Sequence, residues 1–351
     1  MPVQRLRRVL ARIVAAARRY EASPLAVLRR MVALRASRGV RLEEAYLAGL
    51  LDPRLPLERI AGFVGRREFL QALQPFNAGL RELVDDKAVF AARASSEGLA
   101  IPRTLALVTP PLAFDAQGRP LQAEDDWTRW FRDTLPSAFV VKPARGMGGQ
   151  RIDFFEKRGG EVWLGSRRLT PDQLRGRLCE EAPYGPAIVQ ERIRNHSSLV
   201  KLSGTDALQC TRMVTVIARS GAIELLVAFQ KLIVGPHQFD NVAGSWTRNI
   251  VAAIEPGSGT LGAAWSDGAP CAFHPQTAMA IREFSLPHWT RARALVERAA
   301  LLARPLRAIG WDVALTEDGP LLIEGNSEWL AFGETGLYYS SADLARLQRL
   351  F

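Results

Sequence analysis

The stretch Gly310-Trp-Asp312-Val-Ala-Leu-Thr-Glu-Asp-Gly-Pro-Leu-Leu-Ile-Glu324-Gly-Asn326 decides the fold. Its two apolar runs flank Thr316-Glu-Asp-Gly-Pro320, a turn signal, so it reads as a hairpin of strands over 312–315 and 321–324. The turn brings Asp312 close to Glu324 and Asn326. Along a strand, 324 and 326 share one face, so the three residues offer converging oxygen donors. Such hard donors suit Mg²⁺ bridging to substrate phosphates, whereas zinc or copper would call for His or Cys. Glu317 and Asp318 belong to the solvated turn.

Upstream, Val140-Val-Lys142-Pro-Ala-Arg-Gly146-Met-Gly148-Gly149 runs from an apolar strand through a lysine into a glycine loop. Glycines let backbone N–H groups turn toward phosphate oxygens, and Lys142 adds a charge at the strand end. In a P-loop the lysine follows the glycines and opens a helix; here it precedes them. A dinucleotide fingerprint is excluded too, because no helix follows. Ala187-Ile-Val-Gln190-Glu191-Arg-Ile193 is an apolar strand with a polar end, read by itself as a core strand.

Around these motifs lies a change of texture. Residues 1–84 read as a helical unit. Leu6, Leu10, Ile13, Val14 and Ala17 recur at helical spacing in the first helix, Ser23-Pro24 starts a second that Gly39 ends, and further helices cover 42–50 and 66–84. From 85 onward strands and helices alternate: helix 87–97, strand 104–108, helix 126–135, strand 139–142, hairpin 152–155 with 161–164, helix 170–179 and strand 187–193. Then follow strands 212–218 and 223–232, a loop-rich stretch to 288 and a long helix over 291–308. The division is 1–84 basic and helical, 85–136 a linking α/β part, 137–193 a small lobe with the glycine loop, and 194–351 a large lobe with the metal site.

Charge sharpens the division. Residues 1–42 hold eleven arginines against one acid, while the remaining 309 residues balance 35 bases with 35 acids. The net +10 therefore describes one end of the chain and argues against a nucleic-acid groove. Residues 1–20 suggest either docking on an anionic membrane face or a surface helix packed on its own domain. Cys179, Cys210 and Cys271 lack C-x-x-C spacing, and the N-terminus has no secretory pattern, so a reducing cytoplasm is the expected compartment. Five of the 46 basic residues are lysine: Lys87, Lys142, Lys157, Lys201 and Lys231. An ammonium is a compact point charge and a guanidinium a planar fork, so a retained lysine inside a motif is informative.

The order Lys87, Lys142 with its glycines, Gln190-Glu191, Asp312 and Glu-x-Asn resembles the ATP-grasp superfamily. Asp86-Lys87, Asn195-His196 and Asp240-Asn241 bring it nearest to the sugar-transfer-associated ATP-grasp family, similar to α-L-glutamate ligases. The resemblance covers nearly the whole chain. It implies an α+β ATP-grasp fold, two lobes around a nucleotide, preceded by the helical region. It further implies that Lys87 and Lys142 hold phosphates beneath Gly146, Gly148 and Gly149, and that Gln190, Glu191 and Ile193 meet the adenine. Asp312, Glu324 and Asn326 would hold one or two Mg²⁺, with Mn²⁺ an alternative. Arg212 and Lys231 would be catalytic, with His196 and Asn241 on the substrate side. The implied activity is that of a ligase, activating a carboxylate of a small molecule or peptide as acyl-phosphate and joining it to an amine with release of ADP. Alternatives are ester formation, phosphorylation of a hydroxyl, or nucleotide binding without turnover. Two departures stand out: no acid lies between Arg192 and Thr205 for the ribose, and Ser327-Glu-Trp-Leu-Ala follows Asn326 where relatives continue with proline and glycine.

Overall fold

The computed structural model describes residues 2–56, 62–146, 151–241, 248–266, 269–329 and 341–350. Two seven-stranded antiparallel sheets organise the chain. The first holds β1 (Thr104–Thr109), β2 (Leu112–Asp115), β3 (Ala138–Pro143), β4 (Asp153–Arg158), β5 (Glu161–Leu164), β6 (Arg167–Leu169) and β7 (Ala187–Glu191), in the order β2-β1-β7-β3-β4-β5-β6. The second holds β8 (Thr211–Ile217), β9 (Ile223–Leu232), β10 (Ile250–Ile254), β11 (Leu261–Ser266), β12 (Ala269–Pro270), β13 (Ala308–Leu315) and β14 (Pro320–Asn326), in the order β12-β11-β10-β9-β8-β13-β14. The mixed helical and antiparallel α+β class matches the sequence reading. Strands β1 and β2, which that reading placed in a linking part, are hydrogen-bonded into the same sheet as the glycine-loop strand β3, with β7 between β1 and β3.

Three elements differ from expectation, each for a physical reason. Strand β13 begins at Ala308, four residues earlier than expected, and the preceding helix ends at Leu302. All eight residues of β13 are buried. A strand covered on both faces loses its alternation, so its first half reads like the end of an apolar helix. The loop-rich stretch before 288 contains β10 to β12, and β10 is another continuous apolar run. The helix expected over 66–84 is broken into Arg66–Leu73, a 3₁₀ turn Gln74–Phe76 and Glu82–Asp85. Pro75 removes a helical N–H there, and the Asn77 side chain takes over backbone partners.

The helical region is a layer of the large lobe. Ile13, Ala16 and Ala17 of the first helix, Val27 and Leu34 of the second, and Phe69 share one buried cluster with Val214, Val216, Phe229, Val251 and Ala308 of the second sheet. The caps are as expected: Ser23 Oγ accepts the Ala26 N–H at 3.1 Å, and Gly39 closes its helix at φ +64°. Leu10 and Val14 stay 53% and 39% exposed, so the first helix is docked by its Ile13/Ala16/Ala17 stripe. On the opposite face of the sheet, Ile309, Trp311 and Val313 pack against helices Trp289–Leu302 and Lys87–Ser96. No helix among the described residues is long and apolar enough to cross a membrane.

One buried side chain stitches the helical layer to the sheet. Asn77 Nδ2 donates to Ala308 O at 2.6 Å and Ser327 O at 2.7 Å, and its Oδ1 accepts from the N–H groups of Arg307 and Ala308. Replacing it by alanine strands the Ala308 N–H at the entry to β13 and the Ser327 carbonyl just past β14, while the Arg307 N–H keeps Phe76 O and the Ala308 carbonyl keeps Trp329 Nε1–H. Each buried unsatisfied group costs about 1–3 kcal/mol. Asn77→Ala is therefore expected to lower unfolding stability by about 3 kcal/mol or more, read as a lower urea midpoint at unchanged slope.

Candidate active site

A cavity of about 400 Å³ lies between the two sheets. Its charged floor comes from four adjacent strands. Asp312 on β13 is directly opposite Arg212 on β8 and Glu324 on β14, and Lys231 projects from β9, the next strand over. Arg212 donates Nε–H to Asp312 Oδ1 at 2.8 Å and Nη2–H to Oδ2 at 3.0 Å, a two-pronged pair. Lys231 Nζ lies 3.2 Å from Asp312 Oδ1 and 3.1 Å from Asp240 Oδ2. A register shift between Asp312 and Val313 marks a bulge beside Glu324 on the partner strand. Gly310 permits this close packing, since a Cβ there would fall 2.7 Å from Trp329 Cβ and 3.1 Å from Arg212 Nη1.

The roof comes from the glycine loop and the start of helix Lys87–Ser96. Asp86 caps that helix, accepting the N–H groups of Ala88 and Val89, and its other oxygen takes Arg145 Nε–H at 2.8 Å. Lys87 N–H donates to Ala144 O, and its Nζ donates to Gly146 O at 2.9 Å while lying 3.4 Å from Glu324. Lys87 thus touches the glycine loop and the acidic strand at once. Gly146 has φ +144°, a conformation open essentially to glycine alone. Gly148 and Gly149 lie outside the described residues.

Burial and charge tune these groups against one another. Burial works to raise Asp312, but Arg212 and Lys231 outweigh it and hold the carboxyl well below the usual range. Burial would lower Lys231, yet Asp240 and Asp312 keep it above the ordinary lysine value. Asp240 is raised, by burial first and by Asp312 as well, against the pull of Lys231. Lys142 is the exception. It is 6% exposed, and no hydrogen bond or ion pair reaches its Nζ among the described residues. Burial, helped by the nearby Lys87, pulls it down to about 8 against the opposing fields of Glu324 and Asp312. A buried ammonium facing a cavity without a counter-ion is suited to an anion.

At the far end the lining turns apolar, with Val140, Ile152, Phe154, Ile193 and Leu208. Phe154 of β4 and Phe239 of the segment after β9 meet across the cleft with ring centroids 5.8 Å apart. Gln190 and Glu191 reach this wall, but their side chains also hold the chain together. Glu191 Oε1 accepts the Arg103 N–H at 2.8 Å, and Gln190 Nε2 approaches Pro102 O at 3.4 Å.

Lys87, Lys142, Gly146, Gln190, Glu191, Ile193, Arg212, Lys231, Asn241, Asp312, Glu324 and Asn326 all line this one cavity. His196 does not. Its Nδ1 accepts the Ser198 N–H at the start of helix Ser197–Ser203, and its Nε2 lies 3.3 Å from Glu317. The neighbouring Asn195 is buried, donating to Ala207 O and accepting the Gln209 N–H, so this dipeptide shapes the chain after β7. Cys210, Asp240, Arg66 and Glu328 line the cavity without having been singled out as site residues. Asp240 sits beside Asn241 and was within reach of motif reading. Cys210 is a buried thiol, raised well above its ordinary value by burial and by Asp240, with no spacing signal around it.

No cluster of three His, Cys, Asp or Glu side chains stands ready for a metal among the described residues. Two carboxylates and an amide, Asp312, Glu324 and Asn326, are the residues that could hold a cation here, with Asn326 Nδ2 donating to Gly310 O at 3.3 Å. Few protein oxygens, all hard, fit a magnesium ion that keeps waters and shares phosphate oxygens.

Two antiparallel sheets closing on lysines, a glycine loop and an acidic hairpin define an ATP-grasp protein. Residues 68–348 match the model described as sugar-transfer associated ATP-grasp, and the chain belongs to that family. ATP with Mg²⁺ is the cofactor pair that goes with it. No curated protein sequence matches the chain. Among solved structures, the ATP-grasp ligase PsnB complexed with a minimal precursor aligns at 16% identity and TM-score 0.40, covering 86% of this chain and 67% of that one. The D-alanine-D-alanine ligase from Coxiella burnetii aligns at 12% identity and TM-score 0.42, covering 82% and 65%. Biotin carboxylase from Campylobacter jejuni aligns at 11% identity and TM-score 0.43, covering 75% and 46%. The chain thus spans about half to two thirds of the length of these structures.

The lowered Lys142 gives a pH signature with a definite sign. The unliganded lysine loses its proton as pH rises through about 8, whereas a phosphate beside it would retain the proton. ATP affinity is expected to be full below that value and to weaken above it, up to about tenfold per pH unit. Lys142→Gln should bind about 10- to 100-fold more weakly at pH 7, the worth of one charge-assisted hydrogen bond, and lose this pH dependence. Calorimetric titration between pH 7 and 9.5 measures both.

Proposed function

We propose that the chain is a Mg-ATP-dependent, ADP-forming ligase that activates a carboxylate as an acyl-phosphate and transfers the acyl group to an amine. The observation that carries the reading is the opposition of two cation sets across one cavity. Lys87 and Lys142 stand at the glycine-loop wall, and Arg212 and Lys231 stand on the sheet beside the Asp312/Glu324 edge. A nucleotide with its phosphates at the first set would present the terminal phosphoryl group toward the second.

The bookkeeping of bonds is simple. A carboxylate oxygen of the substrate forms a bond to the γ-phosphorus while the bond from that phosphorus to the β,γ-bridging oxygen breaks, releasing ADP. The amine nitrogen then bonds to the acyl carbon, the carbon–oxygen bond to phosphate breaks, and inorganic phosphate leaves as the amine gives up a proton. Negative charge gathers first on the transferred phosphoryl oxygens and then on the tetrahedral acyl oxygen. The chain's part is to neutralise that charge and hold the partners in line. Arg212 and Lys231 would do this; they are buried and already fixed by Asp312 and Asp240, which supports a role needing little reorganisation. Magnesium held at Asp312, Glu324 and Asn326 would supply further neutralisation of phosphate oxygens. Lys142 and Lys87 would hold the phosphates that stay behind, and Gln190, Glu191 and Ile193 would border the base. Asn241 would form part of the acceptor wall. No protein nucleophile is needed, and the buried Cys210 thiol, raised by its surroundings, is poorly suited to be one.

Incubating the purified protein with Mg-ATP and a pooled metabolite extract should yield ADP together with a product whose mass is the sum of an acid and an amine less water. Hydroxylamine added in place of the amine should trap the intermediate as a hydroxamate. Arg212→Gln is expected to lower hydroxamate formation about 10²- to 10³-fold, the usual effect of removing one charge-stabilising donor. Release of AMP, or a phosphorylated product that hydroxylamine does not divert, would overturn the reading.

A further inference from the structure

A second cavity, of about 420 Å³, opens where the helical layer meets the turn after β14. It shares Arg66 and Glu328 with the nucleotide cavity, so one wall separates the two. Its charged lining is lopsided: Arg41, Arg66, Arg67 and Arg81 face Glu44 and Glu328. Glu44 is buried and committed to the Arg41 N–H at 3.1 Å. Glu328 is drawn to Arg81, whose Nη2–H it accepts at 2.7 Å, and reaches Arg66 only at 3.9 Å. Arg66 Nε is buried with no acceptor, and Arg67 makes no ion pair among the described residues. Arg66 on the shared wall, held only by a long contact to Glu328, and Arg67 in the second cavity alone are therefore short of anions, and a guanidinium so placed is a fork built for carboxylate or phosphate.

We infer that this cavity holds a second anionic group of the substrate, an anchor separate from the carboxylate that is phosphorylated. The inference rests on the ligase reading and narrows it: the acid substrate is at least a dianion. Its anchor sits with Arg66 and Arg67, and its reacting carboxylate passes the shared wall toward Arg212. Glu328 occupies the arginines when the substrate is absent and competes with it. Anchor and reacting groups bound at separate points would fix the acid in line with the phosphoryl group, which is how remote binding energy serves the reaction.

The test uses the full chain saturated with Mg²⁺ and a non-hydrolysable ATP analogue, so that the nucleotide site is filled. Glutarate, butyrate and inorganic phosphate are then titrated in by calorimetry. Glutarate is expected to bind at least tenfold more tightly than butyrate. Arg67→Gln, a change at an exposed side chain, should erase that advantage, and Glu328→Gln should increase it. Opposite signs at these two positions are not expected from a merely structural role. Phosphate binding that is tighter than glutarate and lost in Arg67→Gln would support the pocket and make the anchor a phosphate; the reverse order makes it a carboxylate. Equal binding of glutarate and butyrate, or an advantage that survives Arg67→Gln, overturns the inference. Failure of the wild-type chain to bind the ATP analogue would overturn the ligase reading itself. Retained nucleotide binding with no anion preference would overturn this inference alone.

Discussion

Asp312 is a carboxylate buried on the strand next to the edge of its sheet, and the large lobe is arranged to keep it charged. Burying an unpaired charge costs several kcal/mol or more, so the carboxylate requires compensation at close range. Arg212 supplies it from the strand on one side, and Lys231 supplies it from one strand further on. Both cations depend on the register of β8, β9 and β13, which in turn depends on a strand buried on both faces. A helical layer covers one face and two helices cover the other. The same carboxylate stands among the oxygens suited to magnesium. Glu324 is likewise paired with Lys87, a cation suited to a phosphate. Arg212, Lys231 and Lys87 are satisfied by these acids, and Lys142 alone lacks such a partner among the described residues. Loading with a metal and a polyphosphate exchanges these pairs for others of the same kind, at little net change in buried charge.

The parts that the sequence revealed are those whose chemistry is local. Asp312, Glu324 and Asn326 fall on one hairpin, and Lys142 abuts its glycines, so short-range spacing sufficed. Scarcity of lysine was a real signal: Lys87, Lys142 and Lys231 line the cavity. Lys157 has a different reason to be lysine, since its three N–H donors reach Phe131 O, Arg132 O and Leu135 O near the end of helix Glu124–Asp133. What stayed hidden depends on distant pairing. The insertion of β7 between β1 and β3, the early start of β13, and the meeting of Asp240 with Lys231 leave no periodic trace. His196 shows the opposite error: a residue of a suggestive dipeptide proves to cap a short helix.

The arginine-rich beginning of the chain changes meaning in the folded molecule. Its excess charge suggested either docking on an anionic membrane face or a helix packed on its own domain, and several of its arginines work locally. Arg30 donates to Leu50 O and Leu55 O, and Arg12 and Arg19 stack over Tyr46. The layer they stabilise ends at Arg66 and Arg81, beside the turn that leaves the acidic hairpin. A region with no chemical motif of its own thus forms one wall of the space next to the reacting groups. That placement follows from Asn77 and the shared core rather than from any charge attraction to the sheet.

We propose that Asp312 is the residue through which metal and nucleotide loading are coupled. The most direct measurement is ATP binding to the wild-type chain and to Asp312→Asn, each with and without Mg²⁺. In the wild type, Mg²⁺ should tighten ATP binding at least tenfold. In the variant that enhancement should vanish, while metal-free ATP binds as well as or better than in the wild type, because Arg212 and Lys231 have been released. An equal magnesium effect in both proteins would contradict the account.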